Sequence, residues 1–119
     1  MATSDEILKN ILKVEGSEAA MAVGRDGLTL ASAGRTNIDM EAIGAVSSST
    51  LGAAEVLGGE LDSGNLDQVL MTFEKGIVVL ETLGRDVILV VFARSNANLG
   101  MLRLTIKKNK DALTKAFSF

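Results

Sequence analysis

Val87-Ile88-Leu89-Val90-Val91-Phe92-Ala93 is the stretch on which the fold turns. It has the length and the β-branched, aromatic composition of a strand. A strand with one wet face would place a polar residue at every second position, and this one places none. Such a strand needs cover on both sides, so helices must pack against both faces of its sheet.

Working outward, Gly84-Arg85-Asp86 turns back into a strand over Ile77 to Leu83, and Lys75-Gly76 turns again into Leu66 to Glu74. That last segment alternates, with Val69, Met71 and Phe73 on one face and Leu70, Thr72 and Glu74 on the other, as a half-covered or edge strand does. Upstream, Glu18 to Val23 and Leu28 to Ser32 flank Gly24-Arg25-Asp26-Gly27. Asp-Gly supplies the positive φ angles of a tight hairpin, so these are two further strands.

Three helices complete the order. Thr3-x-x-Glu6 reads as a capping box ahead of Ile7, Leu8, Ile11 and Leu12, predicting a short amphipathic helix that ends near Gly16. Asp39 is an N-cap for a long helix to about Leu57, stopped by Gly58-Gly59. Its sheet-facing stripe is expected at Ile43, Ala54, Leu57 and Leu61, with Met40, Val46 and Leu51 at the flanks. The opposite row, Ala45, Ser49, Gly52 and Val56, is made of small residues. Glycine in an exposed helix costs about 1 kcal/mol relative to Ala, which points to another helix lying close against the row. Ser95-Asn96-Ala97-Asn98 offers caps for the last helix, whose core stripe is Leu99, Leu102, Ile106, Leu113 and Phe117. Met101 and Leu104 lie on roughly its opposite side, so that end is expected to be buried from two directions.

Residues 1–119 make one domain, with 47% apolar and 23% charged residues placing it among globular chains. Without Cys or His there is no disulfide, no thiolate and no imidazole base. Neither a phosphate-binding G-x-x-x-x-G-K-[ST] nor a G-x-G-x-x-G opening a helix occurs. Ser47-Ser48-Ser49-Thr50 offers hydroxyls without a neighbouring base, and no acidic pair sits in a ligand-rich loop, so neither an enzyme nor a metal or cofactor site is expected. The longest apolar run is too short to cross a bilayer and the polar start Met1 to Glu6 is unlike a signal peptide, so a cytoplasmic location is expected. A net charge of -3 argues against bulk DNA binding. Charge is nonetheless polarised: residues 36–74 carry seven acids and no Lys or Arg, whereas from Arg94 onward six cations face only Asp111.

The apolar strand followed by Asn98-Leu99-Gly100-Met101-Leu102-Arg103-Leu104 resembles the last strand and final-helix entry of the Roadblock (dynein light chain) family. Gly24-Arg25-Asp26-Gly27-Leu28 with Ala31 resembles that family's first hairpin. Gly59-Glu60-Leu61, leading through Leu66-Asp67-Gln68-Val69 to Phe73-Glu74, fits as well, so the likeness spans nearly the whole chain. The resemblance implies an α+β, profilin-like domain: a five-stranded antiparallel sheet with the first and last helices on one face and the second on the other. It implies a homodimer in which second helices lie antiparallel and third strands pair edge to edge. On this chain that interface falls on Ala45, Ser48, Ser49, Gly52, Val56, Leu66, Val69, Leu70, Met71 and Phe73. Family members regulate or scaffold small Ras-like GTPases, so Glu41, Glu55, Arg25, Arg35 and Arg85 are candidate partner contacts, the three arginines as possible arginine fingers. The alternative is a structural adaptor or sensory module of a larger complex; a large apolar cavity would favour sensing and a solid core adaptor work.

Overall fold

The computed structural model describes residues 3–35 and 37–118; Met1 and Ala2 of the polar start lie outside them. In chain order the elements are α1 (Ser4–Ile11), β1 (Ser17–Gly24), β2 (Thr29–Gly34), α2 (Met40–Glu60), β3 (Gln68–Phe73), β4 (Gly76–Leu83), β5 (Val87–Ala93) and α3 (Leu99–Ala116). The strands form one antiparallel sheet in the order β2-β1-β5-β4-β3. β5, the strand with no polar face, lies at its centre, and β2 and β3 are the two edges.

Alternation along the strands divides the interior into two cores. Ala20, Val79, Leu89 and Val91 point to the side covered by α1 and α3, where they meet Leu8, Ile11, Leu102, Ile106 and Leu113. Met21, Leu80, Ile88 and Val90 point to the α2 side, where only Leu51 of the helix is buried among them, with Met40 and Ile43 packed alongside.

Each helix is capped at a residue the sequence implies, although the capping box of α1 shows only its Thr3 half. Thr3 Oγ1 accepts from the Glu6 amide at 3.2 Å, Asp39 Oδ1 from Ala42 at 3.1 Å, and Asn98 Oδ1 from Met101 at 3.0 Å. In the first hairpin Gly27 has φ +89° and Asp26 Oδ1 accepts from the Leu28 amide at 3.1 Å.

Four details differ from expectation. α1 stops at Ile11, because Leu12 to Gly16 turns early toward β1. α2 runs through Gly58-Gly59 to Glu60. Two glycines weaken a helix without ending it, and termination comes where Asp62 takes φ +52° and the Ser63 amide donates to Gly58 O at 2.9 Å. Met101 and Leu104 are half exposed, since α3 has α1 on one flank and water beyond. Finally, α2 is rotated from its expected setting: Gly44, Ser47 and Leu51 are buried, whereas Leu57 is 61% exposed and Leu61 faces solvent too. The cause is Gly44. A Cβ there would collide with the Gly27 carbonyl oxygen, so the helix rests backbone to backbone on the hairpin turn, and that contact sets its rotation.

Candidate interaction surface

Because α2 leans on the β1–β2 hairpin, it covers Leu80 of β4 fully but Val78 and the same face of β3 only in part. Ser48 Oγ donates to the Arg25 carbonyl, a second stitch between helix and hairpin. On the far side of α2 a trough of about 460 Å³ separates the helix from the sheet edge. Ile43, Val46 and Thr50 form its helix wall, Met71, Phe73 and Val78 its strand wall, and Met21, Val90 and Phe92 its floor. The walls continue into exposed apolar surface: Val46 is 64% exposed and Phe73 59%. β3 has a hydrogen-bonded neighbour on one side only, β4. An unpaired strand edge beside apolar surface is a template for association.

The residues singled out from sequence fall into three groups. Val69, Met71 and Phe73 point to the trough side and Leu70 to the opposite face, while Leu66, ahead of the strand, is half-buried against the α2-side core. Ala45, Ser49, Gly52 and Val56 lie on the outer and hairpin-facing sides of α2, where a Cβ on Gly52 would meet nothing within 4 Å. Ser48 is engaged with the hairpin, as described.

The charged candidates are not gathered into one cluster. Arg25 Nη1 donates to Glu55 Oε1 at 2.6 Å and Nη2 to Oε2 at 3.2 Å, a two-pronged pair. That hydrogen bond holds the Glu55 carboxyl below the usual carboxylate range; partial desolvation opposes the shift and the attraction of the guanidinium charge reinforces it. Arg35 donates to Asn37 Oδ1 at 2.6 Å and Glu18 Oε2 at 3.0 Å, and its guanidinium lies 5.7 Å from the centre of the Phe92 ring. Arg85, exposed on the β4–β5 turn, has no ion pair among the described residues, and Glu41 is exposed in the first turn of α2. Thr50 Oγ1 donates to Val46 O at 2.8 Å, so two of the four consecutive hydroxyls are spent on backbone carbonyls.

Two residues that carry structure give little signal in the sequence. Gly44 sits in a helical run where nothing marks it apart from other glycines. Glu81, on β4, is 0% exposed on the α3 side. Its Oε1 accepts from Gln68 Nε2 at 3.3 Å, Gln68 Oε1 accepts from Arg103 Nε at 2.8 Å, and Lys110 Nζ lies 3.8 Å from Glu81 Oε2. The strand alternation places position 81 inward, and only its charge hints that a partner must come from α3.

A five-stranded antiparallel sheet between two helices on one face and a single offset helix on the other defines a profilin-like α+β domain. The Roadblock/LC7 domain model matches residues 3–93, and the chain belongs to that family. An uncharacterised protein of Methanocaldococcus jannaschii is 36% identical over 113 residues, 95% of this chain and 98% of that one. The solved MglB of Myxococcus xanthus superposes with a TM-score of 0.84 at 26% identity, covering 96% of this chain and 90% of that one. Profilin II of Acanthamoeba castellanii shares the fold, with a TM-score of 0.69 at 16% identity over 95% and 98% of the two chains. No helix among the described residues is long and apolar enough to cross a membrane.

Proposed function

We propose that the chain acts as a non-catalytic homodimer that regulates or scaffolds a small Ras-like GTPase. In this reading the β3 edges of two copies pair, joining the sheets, and the two α2 helices lie side by side over the join. The observation that carries it is the trough: the half-covered β3 edge, with Phe73 exposed, flanked by the exposed apolar side of α2, where a second helix would bury both. Val69, Met71 and Phe73 with Val46, Thr50 and Leu57 then form the contact. The small-residue row Ala45, Ser49, Gly52 and Val56 adjoins it on the outer surface, where a bound protein can approach the helix backbone closely. Family membership supports the GTPase as that protein, and among the arginines Arg85 is best placed to act in trans, since Arg25 and Arg35 already hold carboxylates.

Sedimentation equilibrium tests the dimer: Phe73→Asp, a charge on an exposed edge residue, is expected to give monomer with the fold retained. A dimer that survives this change would remove β3 from the contact. Binding to purified Ras-like GTPases, each loaded with GDP or a GTP analogue, tests the partner, and no binding in either state would count against it.

A second reading, a sensor for a small apolar ligand, draws on the same trough, whose size lies within the range of ligand pockets. It predicts a monomer that takes up a hydrophobic dye, and a Val46→Glu variant that does not.

A further inference from the structure

The helical layers on the two faces of the sheet carry opposite charge. On one side α2 and its ends present Asp39, Glu41, Glu55, Glu60 and Asp62, with no Lys or Arg in the helix. On the other side α1 and α3 pack against each other as one layer, and most of its exposed charges are cations: Lys9 and Lys13 at the end of α1, with Arg103, Lys107, Lys108 and Lys115 along α3. Asp5, Glu6 and Asp111 are the exposed acids of these two helices. None of Lys9, Lys13, Lys107, Lys108 and Lys115 has an ion pair among the described residues. At about 100° per residue, Met101, Leu104, Lys108 and Lys115 form one row on the side of α3 opposite its buried Leu102, Ile106 and Leu113. Met101 is 48% exposed and Leu104 49%, so the row starts apolar and continues cationic.

We infer that the outward side of the α1/α3 layer binds the surface of a membrane bearing anionic phospholipid, with its cations among the headgroups and Met101 and Leu104 at the boundary with the acyl chains. Three features select a lipid surface over other polyanions. Met101 and Leu104 gain nothing from a nucleic-acid backbone, whereas a bilayer takes up apolar side chains just below its headgroups. Five of the six exposed cations are Lys, point charges on flexible stems that suit mobile headgroups, while the fixed carboxylates of a folded partner are better met by the planar fork of Arg. The row also stands on the outward side of a helix rather than in a groove, so a nearly flat surface can follow it for about 21 Å. The acidic α2 side is repelled by the same lipid charge, which fixes the face that turns to the membrane. A single chain carries the whole surface. Pairing through β3 would set two such layers on one side of the joined sheet, because the two-fold axis of the strand pair runs normal to the sheet, and would leave both α2 helices facing away.

The test uses the full chain and phosphatidylcholine vesicles with or without about one-third phosphatidylserine, read by co-sedimentation over a range of salt concentrations. Binding is expected to the mixed vesicles only, and it should fall as salt rises. Lys108→Glu with Lys115→Glu, at two exposed positions without an ion pair among the described residues, is expected to lower partitioning at least tenfold, since each cation near such a surface contributes about fivefold. Leu104→Ser is expected to lower it severalfold and to leave the salt dependence unchanged, so a misfolded charge variant leaves the test intact. No binding to the phosphatidylserine vesicles, or partitioning unchanged in both variants, overturns the inference. So does retention on duplex DNA or poly-glutamate without vesicle binding, which makes the layer a nucleic-acid or protein surface. Oligomeric mass and GTPase binding are measured without lipid, so a failure here leaves the proposed function standing, and a failure there leaves the membrane contact standing.

Discussion

The same substitution made at two glycines of α2 should move stability in opposite directions. At Gly44 an added Cβ meets the backbone oxygen of Gly27 and comes within 3.4 Å of Val23 Cγ1, and backbone cannot rotate aside as a side chain can. Overpacking of this kind costs about 1–3 kcal/mol. A collision with fixed backbone falls in the upper part of that range, about 2–3 kcal/mol, and alanine recovers up to about 1 kcal/mol through its higher helix propensity, leaving Gly44→Ala destabilised by roughly 1–2 kcal/mol or more. At Gly52 the new methyl meets nothing within 4 Å, so only the propensity gain remains and Gly52→Ala should be stabilised by about 0.5–1 kcal/mol. Urea unfolding at one fixed protein concentration measures both, because association also contributes to apparent stability. A neutral Gly44→Ala would refute the claim that the hairpin contact sets the rotation of α2. A destabilised Gly52→Ala would place a second helix against the small-residue row and move the proposed helix contact there.

Lys110→Met should cost about 2–3 kcal/mol, since it strips the facing cation from a buried carboxylate. In a Glu81→Leu background the same change should be nearly neutral, as thermal or urea denaturation of the double variant would show. The Arg25–Glu55 pair supplies a small pH-dependent component. Glu55 has a depressed folded-state pKa, so its contribution is present above the unfolded carboxylate pKa and is lost as pH falls through the folded value. Both partners are substantially exposed, which limits the effect to about 0.5 kcal/mol; the stability gap between wild type and Glu55→Gln should close in acid titration and persist at pH 7. Leu51→Ala, at the one large α2 side chain buried among the inner residues, should lose about 3 kcal/mol by calorimetry and loosen the helix.

The element order and the two-faced sheet were legible because their signals are local. A strand apolar on both faces, an Asp-Gly hairpin and Asn or Asp caps each act within a few residues. The rotation of α2 was not legible, since it depends on Gly27 and Gly44 meeting across the fold, and neither differs in the sequence from a glycine facing water. Hydrophobic periodicity favoured Ile43, Ala54 and Leu57 as the inward stripe, but in a helix rich in Ala, Gly and Ser it carries little weight against one close backbone contact. Of the candidate surface, the β3 residues could be read from alternation. The charged candidates could not be assigned, because whether Arg25 reaches a partner or Glu55 is decided by a contact thirty residues along the chain.

The unequal filling of the two cores has a kinetic consequence. α1 and α3 are held by a continuous apolar layer, whereas α2 is held by Leu51, a few partial contacts and the stitches to the hairpin. Amide protons of α2 should therefore exchange with deuterium well before those of β5, by lifting of the helix alone rather than by opening of the whole molecule. A bound second copy would slow that exchange along α2 and leave the rates beneath α1 almost untouched.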